Sequence, residues 1–341
     1  MRAVGYRNPG SIDRDDALVD LELPSPIPAS HDLLVEVKAV SVNPVDCKVR
    51  QSTPPAEGAV KVVGWDASGV VRSVGPEATL FKPGDEVFYA GSITRPGANA
   101  EFHLVDERIV GAKPKSLDWA AAAALPLTAI TAWEGLFDRL DVKRPVLGAA
   151  PAIVIIGGAG GVGSIATQIA RRLTDLTVIA TASRPETQAW VREMGAHHVI
   201  DHSKPIAAQV AALGLGAPAF VFSTTQSDQH ASEIAALIAP QGRFGLIDEI
   251  SDVSLFKRKS VSIHWELMFT RPIFTTADMA QQGRLLNEVS RLVDGGVLRT
   301  TMTERFSPIN AETLKRVHAR VESGTTCGKL VLEGFSTEQQ Q

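Results

Sequence analysis

The segment Ile153-Val154-Ile155-Ile156-Gly157-Gly158-Ala159-Gly160-Gly161-Val162-Gly163-Ser164 limits the folds open to this chain more than any other. Its branched apolar residues read as a strand buried on both faces. The glycines that follow have the spacing Gly158-x-Gly160-x-x-Gly163. Downstream, Val162, Ile165, Ala166, Ile169, Ala170 and Leu173 recur at the helical period and share one face. Strand, glycine turn and amphipathic helix in that order make a dinucleotide-binding fingerprint. In this reading Gly158 permits the tight turn, Gly160 lets a pyrophosphate approach the backbone, and Gly163 lets the helix pack on the strand. The N–H groups of Gly161, Val162 and Gly163 then face the phosphates, with the helix dipole behind them.

The same alternation continues on both sides of that turn. Strand-like runs read at 152–156, 177–182, 198–201, 219–223, 243–247 and 260–264, separated by helical stretches, with Gly195 and Gly242 where helix C-caps belong. Six such alternations imply a doubly wound parallel six-stranded sheet. Residues 1 to about 125 differ: short strand-like runs at 33–40, 69–75 and 86–89 are punctuated by Pro and Gly, as in a small β-rich barrel. Helical stretches follow at 120–124 and 129–139. Near the end come helices at 277–294 and 311–322 and a last strand at 329–332. The fold class is therefore α/β with a β-rich domain attached.

The end of the second sheet strand selects the dinucleotide. A chain built for NAD places Asp or Glu there to hold the ribose 2′-OH. This one reads Thr181-Ala182-Ser183-Arg184-Pro185. Arginine can pair bidentately with the 2′-phosphate of NADPH, which a carboxylate would repel. Ser183 supplies a hydroxyl, and His202, just past the third strand, is a further contact. NADPH is the expected cofactor.

Composition excludes other classes. The 341 residues are 44% hydrophobic and 21% charged, with a net charge of −4 and no basic stripe for nucleic acid. Apolar stretches such as Trp119 to Leu127 are short for a bilayer, and the N-terminus lacks a signal-peptide pattern, so neither a membrane nor nucleic acid is an expected partner. Two cysteines, Cys47 and Cys327, build neither a disulfide framework nor a four-cysteine zinc lobe, which makes a reducing cytoplasm the expected location.

Further segments carry a resemblance. They are Val42-Asn43-Pro44-Val45-Asp46, Gly64-Trp65-Asp66-Ala67-Ser68-Gly69-Val70-Val71, Phe81-Lys82-Pro83-Gly84-Asp85-Glu86-Val87 and Leu125-Pro126-Leu127-Thr128-Ala129-Ile130-Thr131-Ala132-Trp133. With the glycine turn, they make the chain resemble the medium-chain dehydrogenase/reductase superfamily. Within it the similarity is to the quinone oxidoreductase-like branch, closest to the group labelled zinc-type alcohol dehydrogenase-like. The resemblance implies a GroES-like catalytic domain at 1–127 and 267–341, a Rossmann domain at 128–266, a cleft between them and a homodimer. It places Leu246 and Ile247 beside the nicotinamide and Lys329 near the cofactor.

Zinc-dependent relatives put ligands where this chain has Asn43, Trp65 and the neighbourhood of Pro126, none of them suited to zinc. His197, His198 and His202 cluster but flank a strand of the nucleotide domain. No catalytic metal is expected. Without one, reduction of a conjugated acceptor is less demanding than reversible alcohol oxidation, because negative charge spreads onto a distal oxygen that hydrogen-bond donors can hold. Tyr89, Asn43 and Thr128 are the catalytic candidates; Trp65, Asp46 and His264 are candidates for lining the substrate. The expected function is a zinc-independent transfer of hydride from NADPH to a quinone or α,β-unsaturated carbonyl. The alternatives are a zinc-type alcohol dehydrogenase, an enoyl-thioester reductase and a non-catalytic NADPH-binding protein.

Overall fold

The computed structural model of the chain describes residues 1–335. Two compact units form, Thr128–Met268 and the remainder, Met1–Leu127 with the segment from Phe269 onward. The second junction thus falls two residues beyond the expected one.

Strands in chain order are β1 (Arg2–Tyr6), β2 (Val19–Glu22), β3 (Asp32–Ser41), β4 (Lys61–Val62), β5 (Ala67–Val74), β6 (Glu86–Tyr89), β7 (Phe102–Asp106), β8 (Val110–Ala112), β9 (Ala150–Ile156), β10 (Thr177–Thr181), β11 (His198–Ile200), β12 (Pro218–Ser223), β13 (Arg243–Leu246), β14 (Ser262–Trp265), β15 (Met302–Phe306) and β16 (Lys329–Glu333). The helices are α1 (Pro44–Ser52), α2 (Trp119–Ala123), α3 (Pro126–Trp133), α4 (Gly161–Leu173), α5 (Pro185–Glu193), α6 (Ile206–Ala212), α7 (Ser227–Leu237), α8 (Thr270–Phe274), α9 (Gln281–Asp294) and α10 (Ala311–Glu322).

In the GroES-like catalytic unit β3 organises the main sheet. Its inward residues Leu33, Val35, Val37 and Ala39 alternate with partly exposed ones, which fixes its register. It pairs antiparallel with β5, β7 and β16. The sheet runs β15-β16-β3-β5-β6-β8 with β7 on β3, and a second sheet runs β2-β1-β4. The helix expected over 277–294 forms as α9, beginning four residues later, and a short helix that the sequence did not suggest, α8, precedes it.

The nucleotide unit is a Rossmann sheet of six parallel strands in the order β11-β10-β9-β12-β13-β14. Ile153 to Ile156 of β9 are fully buried because both faces of the central strand are covered; each contributes roughly 1.5–3 kcal/mol by leaving water. Gly195, with φ of +109°, follows α5 as a C-cap glycine should. Gly242 does not cap α7, which ends at Ile238 in an extended conformation; the left-handed residue there is Gln241. The helical run Trp119–Arg139 is long and apolar enough to cross a bilayer by length and composition, and 89% of its most apolar window is buried inside the protein. Its last turn, Glu134–Arg139, is π-helical.

Candidate functional site

The glycine turn of the nucleotide unit is built without slack. The left-handed residue is Gly157, with φ of +78°, so the tight turn assigned to Gly158 begins one residue earlier. At Gly163 a Cβ would stand 2.1 Å from the Gly157 carbonyl oxygen, which is the close helix–strand packing expected of it. At Gly160 the nearest atom to a Cβ is 3.5 Å away, so that glycine leaves open space beside the backbone. Gly160 is the N-cap of α4, and Gly161, Val162 and Gly163 form its first turn. Their amides have no earlier helical carbonyls to bond, and an anion suits them. These residues fit a dinucleotide pyrophosphate.

Thr181, at the end of β10, joins this turn to the adenosine side. Its Oγ1 accepts from the Gly157 amide at 3.0 Å and lies 3.0 Å from His202 Nδ1. Ser183 and Arg184 follow directly, Arg184 as the N-cap of α5. The Arg184 guanidinium is paired with Glu186 at 2.9 Å, and both side chains are partly exposed. His202 stands edge-on to His230 of α7, ring centres 6.3 Å apart. Burial holds both rings below the usual histidine range, aided by Arg184 at His202 and by His202 at His230. The expected histidine cluster therefore divides: His197 Nδ1 accepts from the Val178 amide at 2.9 Å, while His202 turns to Thr181 and His230. Leu246 ends β13, fully buried, with Ile247 just past it. Thr128 is buried in α3 as the first residue of this unit. His264 sits on edge strand β14 with its Nε2 buried and without a hydrogen-bond partner. Nearby, Glu266 shares a hydrogen bond with Glu134 and accepts from Arg139 Nε at 2.9 Å. Burial first, and the Glu134 charge second, push the Glu266 carboxyl well above the carboxylate range.

The catalytic unit holds a buried ionic network around Lys329. Its ammonium donates to Asn43 Oδ1 at 2.6 Å and to the Val42 carbonyl at 3.0 Å, and it pairs with Asp66 Oδ2 at 3.2 Å. Asp66 also accepts from Asn43 Nδ2 at 3.1 Å and from the Leu127 amide at 3.2 Å. Burial raises the Asp66 carboxyl to about 6 against the pull of Lys329. Asp46 closes the capping box of α1, accepting from the Asn43 amide at 2.7 Å, and burial raises it to about 7. Two of the expected site residues thus lie in this network: Asp46 caps a helix in the protein interior, and Lys329 directs its ammonium to Val42, Asn43 and Asp66.

Tyr89 lies in a separate hydrogen-bonded pair. His103 Nε2 lies 2.9 Å from the Pro96 carbonyl, which can only accept, so Nε2 carries the proton. Burial keeps the ring neutral, near 4. Its Nδ1 is then an acceptor, and the Tyr89 hydroxyl donates to it at 3.1 Å. The tyrosine proton is committed to this fully buried stacked pair, and burial drives the phenol further from ionising. Trp65 packs edge-on against Phe269 with ring centres 6.3 Å apart, and its buried indole N–H has no acceptor among the described residues.

The zinc ligand set of relatives is not matched. Where it begins, Asn43 holds an ammonium, and a second cation beside Lys329 would be repelled. Cys47, His318 and Glu322 bring ligand-type atoms within 4.8 Å of one another, but the buried Arg50 guanidinium is bonded to Glu322. A groove of about 750 Å³ in this unit, lined by Phe81, Arg108, Lys113, Arg284 and Asn287, includes none of the residues above.

Sequence reasoning missed Asp66, His103, Thr181 and His230. Asp66 and Thr181 lay inside quoted motifs; nothing in the sequence marks His103 or His230, whose partners are distant along the chain.

Residues 29–115 match the alcohol dehydrogenase GroES-like domain family, and residues 161–261 match the zinc-binding dehydrogenase family. A zinc-type alcohol dehydrogenase-like protein of Staphylococcus aureus is 39% identical over 97% of this chain and 99% of its own. A crystallised Rhizobium etli protein, provisionally named a zinc-dependent alcohol dehydrogenase, shares 74% identity over 99% of both chains, with a TM-score of 0.97. Escherichia coli quinone oxidoreductase, crystallised with NADPH, superposes with a TM-score of 0.80 over 98% of this chain and 100% of its own at 21% identity, a likeness of fold. The chain belongs to the medium-chain dehydrogenase/reductase superfamily of oxidoreductases.

Proposed function

We propose that this protein transfers hydride from NADPH to a quinone or an α,β-unsaturated carbonyl without a catalytic metal. The observation that carries the reading is the Lys329 ammonium held on Asn43 and Asp66, a fixed cation where a zinc enzyme would begin its ligand set. The Arg184, Ser183 and His202 rim supports NADPH over NADH, since no carboxylate stands at the end of β10 to hold a 2′-OH. Among relatives, a chloroplastic NADPH-dependent alkenal/one oxidoreductase of Arabidopsis thaliana is 35% identical over 60% of this chain.

The nicotinamide supplies the hydride when bound. The chain's part is to hold phosphates on the α4 N-terminus, to recognise the 2′-phosphate with Arg184, Ser183 and His202, and to stabilise charge on the acceptor's distal oxygen. Trp65 is the donor suited to that last task, because its indole N–H is buried and unspent. The proton that completes the reduction comes from solvent, Tyr89 being committed to His103. We further propose a cytoplasmic homodimer: among the described residues β14 pairs with β13 alone and presents exposed Trp265 at the sheet edge, a surface open to a second copy.

The test is oxidation of NADPH and NADH by chelator-treated protein with a quinone, an enone and an alcohol/NADP⁺ pair. Rapid NADPH oxidation by quinone or enone, unchanged by chelator, is expected. Chelator-sensitive alcohol turnover would overturn the reading in favour of an alcohol dehydrogenase, and absence of any turnover would leave a binding protein.

A further inference from the structure

We infer that selection of NADPH over NADH in this protein is linked to proton uptake by His202. The inference rests on the NADPH reading above and goes beyond it in making the preference depend on pH.

Geometry carries the argument. His202 is held by one ring nitrogen only, Nδ1 on Thr181 Oγ1. That hydroxyl already accepts from the Gly157 amide and still has one hydrogen and one lone pair. It can donate to Nδ1 of a neutral ring or accept from Nδ1–H of a charged one. The ring therefore changes protonation state without orphaning either group and without moving the glycine turn. Nε2 has no hydrogen-bond partner among the described residues and is left for a ligand.

The charges around the ring come from four directions. On its own turn Asp201 lies adjacent, itself neutralised by Lys204 at 3.5 Å. From the end of β10 and the start of α5 come Arg184 and its partner Glu186. From α7 come His230 and Glu233, the latter accepting from the Ala207 amide at 2.8 Å. Beyond β13, Asp248 is bonded to Ser227. Burial opposes a charge on His202, Asp201 favours it and Arg184 opposes it. The balance keeps the ring neutral in the free protein at pH 7. A phosphate monoester brings nearly two negative charges to the same rim. Its field favours the imidazolium, and Nε2–H is then positioned to donate to a phosphate oxygen. NADH brings no such charge and gives the ring no reason to take up a proton.

The experiment is calorimetric titration of NADPH and NADH into the purified full chain between pH 6.5 and 8.5, in two buffers of different ionisation enthalpy. NADPH affinity should rise several-fold as pH falls, with net proton uptake, while NADH affinity stays flat. His202→Gln, which can keep the Thr181 bond, should abolish the uptake and the slope yet retain the part of the preference owed to Arg184. An NADPH preference that is the same at every pH, or a slope shared by both cofactors, overturns the inference and leaves the NADPH reading standing. Equal affinity for both cofactors at every pH overturns the reading beneath it.

Discussion

Replacing Lys329 with Met removes the one cation from a buried network and leaves two carboxyls behind. Both partners of the ion pair are buried, Lys329 at 3% and Asp66 at 0% side-chain exposure, so water cannot take over the lost contact. Breaking such a pair costs about 3–5 kcal/mol, since the remaining charge is uncompensated. Asp66 can escape by binding a proton. Its carboxyl already sits at about 6 in the folded protein, above its ordinary 3.8, and Lys329 is what restrains it. Without Lys329 the folded value climbs further. A group whose folded pKa is raised contributes stability at low pH and loses it as pH rises through that value. Wild type and variant therefore lose stability in parallel at low pH, and above about pH 7, where Asp66 and Asp46 are both ionised in the wild type, the variant alone continues to lose, by at most about 1.4 kcal/mol per pH unit for each carboxyl. Urea unfolding at pH 5.5 and pH 8 reads this directly. The difference between the proteins should be largest at pH 8. Adding Asp66→Asn to the variant should recover more than half of the loss, because the Asn43 amide is then free to turn toward it. A difference below about 1 kcal/mol at pH 8, or one equal at both pH values, would refute the argument that Lys329 is a buried counter-charge.

Gly160→Val should leave the fold intact, since the nearest atom to the new Cβ is 3.5 Å away, yet raise the Kd for NADPH and NADH together by 10-fold or more (on the order of 1.4 kcal/mol); unchanged binding would remove this turn from the cofactor site. Trp65→Phe keeps the packing on Phe269 and deletes the N–H. It should lower kcat by about 100-fold with an enone while NADPH affinity holds, and an unaltered kcat would dismiss Trp65 as a donor to the acceptor oxygen.

Much of the nucleotide unit was legible in the sequence, and for identifiable reasons. Parallel strands buried on both faces leave unbroken apolar runs, so β9 to β14 could be read within two residues of their bounds. The helix α4 announced itself by period, and Gly195 by position. Gly242 misled because Gln241 takes the left-handed conformation that a glycine usually holds. The catalytic unit resisted because its chemistry lies in long-range partnerships. Lys329 meets Asn43 across 286 positions, and Tyr89 meets a histidine on another strand. Residue type made Tyr89 a candidate acid and Asp46 a candidate for lining the substrate. Only the positions of His103 and of the Asn43 amide reveal where their hydrogen bonds go.

The crowding at Gly163 has a consequence for binding thermodynamics. With room for no side chain at Gly163, the start of α4 packs directly on the Gly157 carbonyl, and the Thr181 bond to the Gly157 amide pins the other side. Ordering a backbone residue costs about 1–2 kcal/mol, and in the 157–163 turn that cost falls on folding and not on ligand capture. The Gly157, Gly158 and Gly160 amides, already bonded to Thr181 and to the Gly157 carbonyl, should resist hydrogen exchange in the free protein, and the Gly161, Val162 and Gly163 amides should gain protection only with cofactor. Cofactor association should then proceed without a slow conformational phase, its heat arising from phosphate contacts and released water instead of loop ordering.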